Sequence, residues 1–268
     1  MTVLQDIRCY IFDMDGTIYL GETVLPGALD LLGLLSERRI PFYFFTNNSS
    51  KSPEDYIAKL KRLGLGEYTR RDIVTSADVA ADYIAKRFGK NARVCVVGTP
   101  SLETQLAEAD IRMDDSAPDC VLVGFDTTLT YAKCDRATTL IKEGVPFLAT
   151  NIDAVCPLEG GAVMPDCASI CALLTHATGV DAKFLGKPFA ETAEYIVRYT
   201  GIPAAQTAIV GDRLYTDMRL ALGNGMCAIG VLSGEMTRED ISRGGENLDY
   251  LFESVAGLCD ALRKGDMY

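Results

Sequence analysis

The chain has 268 residues, 48% hydrophobic and 24% charged, enough for one large domain or two modest ones with real cores. Its formal net charge of −11 repels the nucleic-acid backbone, so duplex binding is not expected as its main activity. The same field opposes small phosphate esters, and a site for them needs a local cluster of cation, lysine and backbone N–H.

The first predicted strand is "RCYIFD", followed by a helix over "PGALDLLGLLSERR" with Pro26 near its start. "IPFYFFTN" is a second strand. "SPEDYIAKLKRLGL" is a helix with Ser52 as N-cap, Pro53 at the first helical position and Gly64 near its end. "DIVTS" is short and extended, and "ADVAADYIAKRFG" is helical. "ARVCVVG", "PSLETQLAEAD", "DCVLVGFD", "YAKCDRATTLIKEG" and "PFLATN" continue the alternation of strand and helix. "DCASICALLTHATG" and "PFAETAEYIVRYTG" are helices, and "TAIVGD" and "CAIGVL" are strands. Strands rich in Val and Ile without polar alternation, spaced by helices, predict a parallel sheet covered on both faces: a doubly wound α/β fold. No apolar stretch reaches the roughly 18 residues of a membrane span. The opening "MTVLQDIRCYIFDMD" carries acids early and no basic leader before a long apolar core, so a cytoplasmic protein is expected.

The nine cysteines form an odd set with no C-x-x-C pair, and Cys9, Cys95, Cys120 and Cys227 fall in strand-like segments. They are expected as buried, reduced thiols. Cys167 and Cys171 stand at i,i+4 on a predicted helix, a spacing that holds a metal only with further ligands. His176 is the only histidine, which excludes a His-rich zinc site or a Ser-His-Asp triad.

In doubly wound sheets ligands bind at the carboxyl ends of strands. Asp13 and Asp15 follow the first strand, and Thr46, Asn47 and Asn48 follow the second. Lys187 follows "KFLG" and precedes Pro188, Asp212 follows "TAIVG", and Asp217 lies about one helical turn into the next helix. Each position alone has a plainer reading: an Asx-turn or N-cap, a polar loop before a helix, a solvent-facing lysine. Together they gather carboxylates, a hydroxyl with amides and a lysine at one face of one sheet. The chemistry that fits is phosphoryl transfer to a carboxylate. A hard dication such as Mg²⁺ takes oxygen ligands and screens the attacking carboxylate from the anionic phosphate. Lysine and hydroxyl or amide donors hold the other phosphate oxygens. A carboxylate nucleophile is already ionised at neutral pH and needs no imidazole.

"DMDGT", "FFTNNS", "GKP" and "GDRLYTD" match, in order, the four motifs of the haloacid dehalogenase superfamily, which the chain resembles. The resemblance implies that Asp13 is the nucleophile and becomes an aspartyl-phosphate, and that Asp15 is the general acid and then the base. It implies that Thr46 and the amide of Asn47, in the loop with Asn48, hold the phosphoryl group with Lys187. Asp13, the main-chain carbonyl of Asp15, and Asp212 would bind Mg²⁺, with Asp217 a supporting carboxylate. An acid two residues after the nucleophile points to the phosphatase side of the superfamily; mutases share that acid.

Only about thirty residues separate Asp15 from Thr46, already filled by a turn, a helix and a strand. Roughly 140 separate Asn48 from Lys187, enough for an inserted α/β domain. A cap at that second point, with "DGTIYLGETVLPGA" and "GDRLYTDM", resembles the NagD or p-nitrophenylphosphatase-like subfamily. "VVGTPSLETQL", "VLVGFDTTLTYAK", "FLATNIDAVCPLEGG" and "VLSGEMTRED" extend the likeness over most of the chain. This implies a Rossmann-like core over 1–78 and 184–268 and a cap over 79–183. Asn151-Ile152-Asp153 stands where Asn-Pro-Asp is usual, and "VMPDCAS" where a Gly-rich turn is usual. Asn151 and Asp153 are candidates for the cap face over the active site, against turn and capping roles. The expectation is a Mg²⁺-dependent phosphatase acting on small phosphomonoesters such as sugar phosphates, nucleoside monophosphates or p-nitrophenyl phosphate. A phosphomutase on the same scaffold and a silent phosphate-binding regulator are the alternatives. No nucleic-acid or membrane partner is expected, and caps of this type can form a homodimer.

Overall fold

Runs such as Cys9–Phe12, Cys120–Val123, Thr207–Gly211 and Cys227–Val231 are buried at every position, which requires cover on both faces of each strand. The computed structural model describes residues 3–158 and 161–265. Glu159 and Gly160 of the "PLEGG" stretch, and residues 266–268 of the expected core, lie outside the described residues. The chain packs as two compact units: residues 3–45, 56–74 and 193–265 form the first, and 46–55 with 75–192 the second. The second unit contains all of the 79–183 stretch and adds the loop that begins at Thr46 and the segment carrying Lys187.

The first unit is built on a six-stranded sheet in the order Tyr250–Phe252, Cys227–Val231, Thr207–Gly211, Cys9–Phe12, Phe42–Thr46, Ile73–Thr75. From Tyr250–Phe252 across to Phe42–Thr46 every pairing is parallel. Numbered along the chain, these strands run 6-5-4-1-2-3, which is the Rossmann order read from its other edge. Strand order reverses between Cys9–Phe12 and Thr207–Gly211, where Phe12 sits in register with Val210. On one face, Tyr10, Phe12 and Phe44 pack with Leu31 and Leu35 of the Ala28–Glu37 helix and Leu258 and Leu262 of the Val255–Lys264 helix.

The second unit holds a five-stranded sheet, Lys183–Phe184, Phe147–Ala149, Cys120–Val123, Arg93–Val97, Arg112–Met113, parallel throughout. Alternate residues of Cys120–Val123 serve opposite faces. Leu122 packs with Ile84 and Leu102, from helices Ser76–Phe88 and Pro100–Glu108. Val121 and Val123 pack with Leu140 and Leu174, from helices Tyr131–Lys142 and Cys167–Thr178. Both sheets are therefore of the predicted parallel α/β type.

Several local features depart from the sequence reading. Val155–Pro157 and Val163–Pro165 pair antiparallel, where the sequence reading assigned no strand. The short Tyr250–Phe252 strand closes one edge of the first sheet. Asp217 stands on a π-helical turn, Leu214–Met218, ahead of the α-helix Arg219–Gly223. All nine cysteines are free, eight of them buried and Cys156 partly so. Cys167 and Cys171 share one helix, but no third ligand joins them among the described residues. Instead the Cys167 thiol donates to the Val123 carbonyl at 3.3 Å.

Leu122 is fully buried at the centre of the second unit's sheet. Leu122→Ala should lower the unfolding free energy by about 2–5 kcal/mol, as measured by urea denaturation.

Candidate active site

In sheets of this kind ligands bind where strand order reverses, outside the carboxyl ends of the two central strands. Asp13 leaves the Cys9–Phe12 strand there, its N–H donating to the Val210 carbonyl at 2.9 Å. Asp212 leaves the neighbouring Thr207–Gly211 strand, and the π turn that follows brings Asp217 back toward both. Each of the three offers a carboxylate oxygen, and these oxygens lie within 4.8 Å of one another. Asp13 is half-buried, whereas Asp212 and Asp217 are 2% and 0% exposed.

Three carboxylates at this spacing repel one another in a medium that screens poorly. Burial pushes the Asp212 carboxyl up to about 8, and the charges of Asp13 and Asp217 push the same way. Donors oppose them in part: Thr17 Oγ1 donates to Asp212 Oδ1 at 3.3 Å, and the Glu235 N–H to Oδ2 at 2.8 Å. The Arg213 N–H donates to Asp217 Oδ2 at 3.2 Å. Asp212 is also enclosed by two glycines. A Cβ built at Gly16 would stand 2.2 Å from Asp212 Oδ2, and one at Gly234 1.9 Å from it. Only residues without a side chain allow backbone so close to the carboxylate. A buried set of hard oxygen donors, destabilised by its own charge, suits a divalent cation.

Asp15 stands apart from this trio, its side chain 57% exposed. It opens the tight turn that precedes the Tyr19–Leu20/Thr23–Val24 hairpin. The Gly16 N–H donates to the Tyr19 carbonyl at 2.7 Å, and Gly16 takes φ +87° to make the bend. Lys59, on the Pro53–Arg62 helix, places its ammonium 3.8 Å from Asp15 Oδ2 and 3.9 Å from the centre of the Tyr19 ring.

The other predicted residues belong to the second unit, and most are tied to one another. Thr46 Oγ1 accepts from the Asn48 N–H at 3.1 Å, and Asn48 Oδ1 accepts from the N–H and hydroxyl of Ser50. Asn47 uses its side-chain amide on Lys187: Oδ1 accepts from the Lys187 N–H at 2.9 Å and Nδ2 donates to the Lys187 carbonyl at 3.1 Å. Lys187 is 2% exposed. Asn151 and Asp153 are buried too, and Asp153 Oδ2 accepts from both Asn47 and Asn151 at 2.9 Å.

The sequence reading missed Thr17, Gly234, Glu235 and Lys59. Gly234 and Glu235 were within reach, because "LSGEM" follows the "CAIGVL" strand and the strand-end rule applies there as well. Lys59 carried no such signal, since its meeting with Asp15 is made by packing between separate segments.

A model of the haloacid dehalogenase-like hydrolase family matches residues 10–112, and a HAD-hydrolase-like model matches residues 184–258. The acid sugar phosphatase of Staphylococcus aureus is 32% identical over 262 residues, covering 97% of this chain and all of that one. Among solved structures, 4-nitrophenylphosphatase of Thermotoga maritima is 38% identical, with a TM-score of 0.92 and coverage of 97% and 99% of the two chains. NagD of Escherichia coli K-12 is 27% identical, with a TM-score of 0.86 and coverage of 96% and 98%. With likeness along nearly its whole length and a carboxylate cluster at the reversal of its first sheet, the chain belongs to the haloacid dehalogenase-like hydrolases, in their NagD and p-nitrophenylphosphatase-like branch.

Proposed function

We propose that the protein is a Mg²⁺-dependent phosphatase that hydrolyses small phosphomonoesters through an aspartyl-phosphate on Asp13. The observation that carries this reading is the Asp13, Asp212 and Asp217 cluster at the strand reversal. The names of its relatives, acid sugar phosphatase and 4-nitrophenylphosphatase, support sugar phosphates and aryl phosphates as the substrate class.

In this reading an Asp13 carboxylate oxygen forms a bond to phosphorus as the ester P–O bond breaks. Asp15 gives its proton to the departing alkoxide. It then takes a proton from water, whose oxygen attacks phosphorus and releases inorganic phosphate with Asp13 restored. Lys187, the Thr46 hydroxyl and the Asn47 main-chain N–H hold the phosphoryl oxygens, and Asn48 shapes the loop that carries Thr46. Asp13, the Asp15 carbonyl and Asp212 hold Mg²⁺, and Asp217 supports them. The cation, when bound, screens the negative charge between the nucleophile and the phosphate.

The domain reading goes with it: 79–183 is the inserted cap and the remainder the catalytic core. A cytoplasmic location belongs to the same proposal, and nine free thiols, which suit a reducing compartment, support it. Pairing of two copies through the cap belongs to the same proposal, to be read by light scattering on the eluted protein.

With Mg²⁺ present, the purified protein should hydrolyse p-nitrophenyl phosphate and release inorganic phosphate. EDTA or Asp13→Asn should abolish turnover. A product that keeps its phosphate would instead favour a mutase. Asp15→Asn should slow kcat by about 10²–10⁴-fold, the usual worth of a positioned proton donor; wild-type kinetics in that variant would remove its acid–base role. Gly234→Ala drives a methyl group onto Asp212. The Mg²⁺ concentration for half-maximal activity should rise by about 10–100-fold. An unchanged metal titration would take Asp212 out of the metal site.

A further inference from the structure

Asp153 is far in sequence from Asn47 and Lys187, yet the three meet inside the second unit. The Asn47 amide pairs with both sides of the Lys187 residue, donating to its carbonyl and accepting from its N–H, as a neighbouring strand would. This pairing works in one orientation only. Rotated by half a turn, the amide would set its NH₂ against the Lys187 N–H and its oxygen against the Lys187 carbonyl. The second Nδ2 proton goes to Asp153 Oδ2 at 2.9 Å. Asp153 Oδ2 accepts from Asn151 Nδ2 as well, so it faces Asn47 as an acceptor, admits the orientation that grips Lys187 and opposes the other.

Asp153 is itself fixed from behind. Asn151 Nδ2 donates to the same Oδ2 at 2.9 Å and to Asp166 Oδ1 at 3.2 Å. Asp166 is the N-cap of the Cys167–Thr178 helix, and the Thr150 hydroxyl donates to Asn151 Oδ1 at 2.8 Å. A polar chain thus runs from a helix N-terminus to the main chain of Lys187. A carboxylate 1% exposed is expensive to bury, and a turn role would not require one.

We propose that Asp153 is a positioning residue for Lys187, fixing the Asn47 amide so that the Lys187 main chain, and with it the origin of the ammonium side chain, is held in place. The inference rests on the reading above in which Lys187 holds the phosphoryl group. A double-mutant cycle on the full chain tests it, with p-nitrophenyl phosphate as substrate and inorganic phosphate as competitive inhibitor. Asp153→Asn keeps the shape but adds a donor and removes the acceptor-only character. In the wild-type background it should lower kcat/KM about 10-fold or more. It should also raise KM and the inhibition constant of inorganic phosphate, whereas loss of folded protein would lower the apparent kcat alone.

In a Lys187→Ala background the same substitution should change kcat/KM by less than about twofold, because the side chain that Asp153 positions has gone. An equal loss in both backgrounds overturns the inference and leaves the role of Lys187 standing. If Lys187→Ala by itself leaves kcat/KM and the phosphate inhibition constant unchanged, the reading of Lys187 fails and the inference falls with it. Should the amide variant not fold at the assay temperature, Asp153→Ser takes its place in the same cycle, with thermal melts giving the folded fraction.

Discussion

The mutual repulsion of Asp13, Asp212 and Asp217 is the constraint around which the first unit is built. Two of the three are buried, and the Asp212 carboxyl is driven up to about 8 by burial and by its two neighbours. No packing argument favours such a group; an apolar substitute would stabilise the sheet end better. The surroundings instead hold the carboxylates in place. Thr17 and the Glu235 N–H donate to Asp212, the Arg213 N–H donates to Asp217, and Gly16 and Gly234 let backbone approach where no side chain fits. In the proposed reading, stability lost here serves a site arranged before a cation arrives, so little rearrangement is needed when charge is neutralised.

Sheet topology makes that concentration of charge possible. Asp13 and Asp212 are separated by most of the chain, yet parallel pairing of Cys9–Phe12 with Thr207–Gly211 sets their strand ends side by side. The segment between them supplies two further strands to the same sheet and the whole sheet of the second unit. An insertion of that size leaves the register of the central pair untouched, because each parallel strand is fixed by its own neighbours and its own covering helices. The second unit can therefore vary while the carboxylates stay where they are.

The strand-end residues were legible because three local signals coincide: an apolar run, a turn-forming residue and an acid. Asp13 and Asp212 were found that way, and the parallel α/β class followed from runs without polar alternation. What stayed hidden depends on tertiary contact. Whether Asp217 sits on an α or a π turn is set by a one-residue shift in hydrogen bonding, with Met218 N–H as well as Asp217 N–H reaching the Arg213 carbonyl. The Val155–Pro157/Val163–Pro165 hairpin has too few residues for a period to show. Asn151 and Asp153 resemble ordinary turn residues, and only the fold reveals that they are buried and joined to Asn47.

A chain with net charge −11 must make its positive potential locally. Lys59 does so within the first unit, where the face of Tyr19 and the Asp15 carboxylate hold its ammonium beside the exposed acid. Lys187 is treated differently: its main chain is gripped by a neutral amide and its residue buried. The difference is physical. A surface ion pair places a charge loosely, since two long side chains share many geometries at little cost. A side-chain amide matched to a peptide has one geometry, and a buried carboxylate behind it removes the flipped alternative. In the proposed role of Lys187, which meets a group that changes shape during reaction, constraint on its backbone fixes where the side chain begins. The network behind the Lys187 main chain is accordingly made of two side-chain amides, Asn47 and Asn151, and two acids, Asp153 and Asp166.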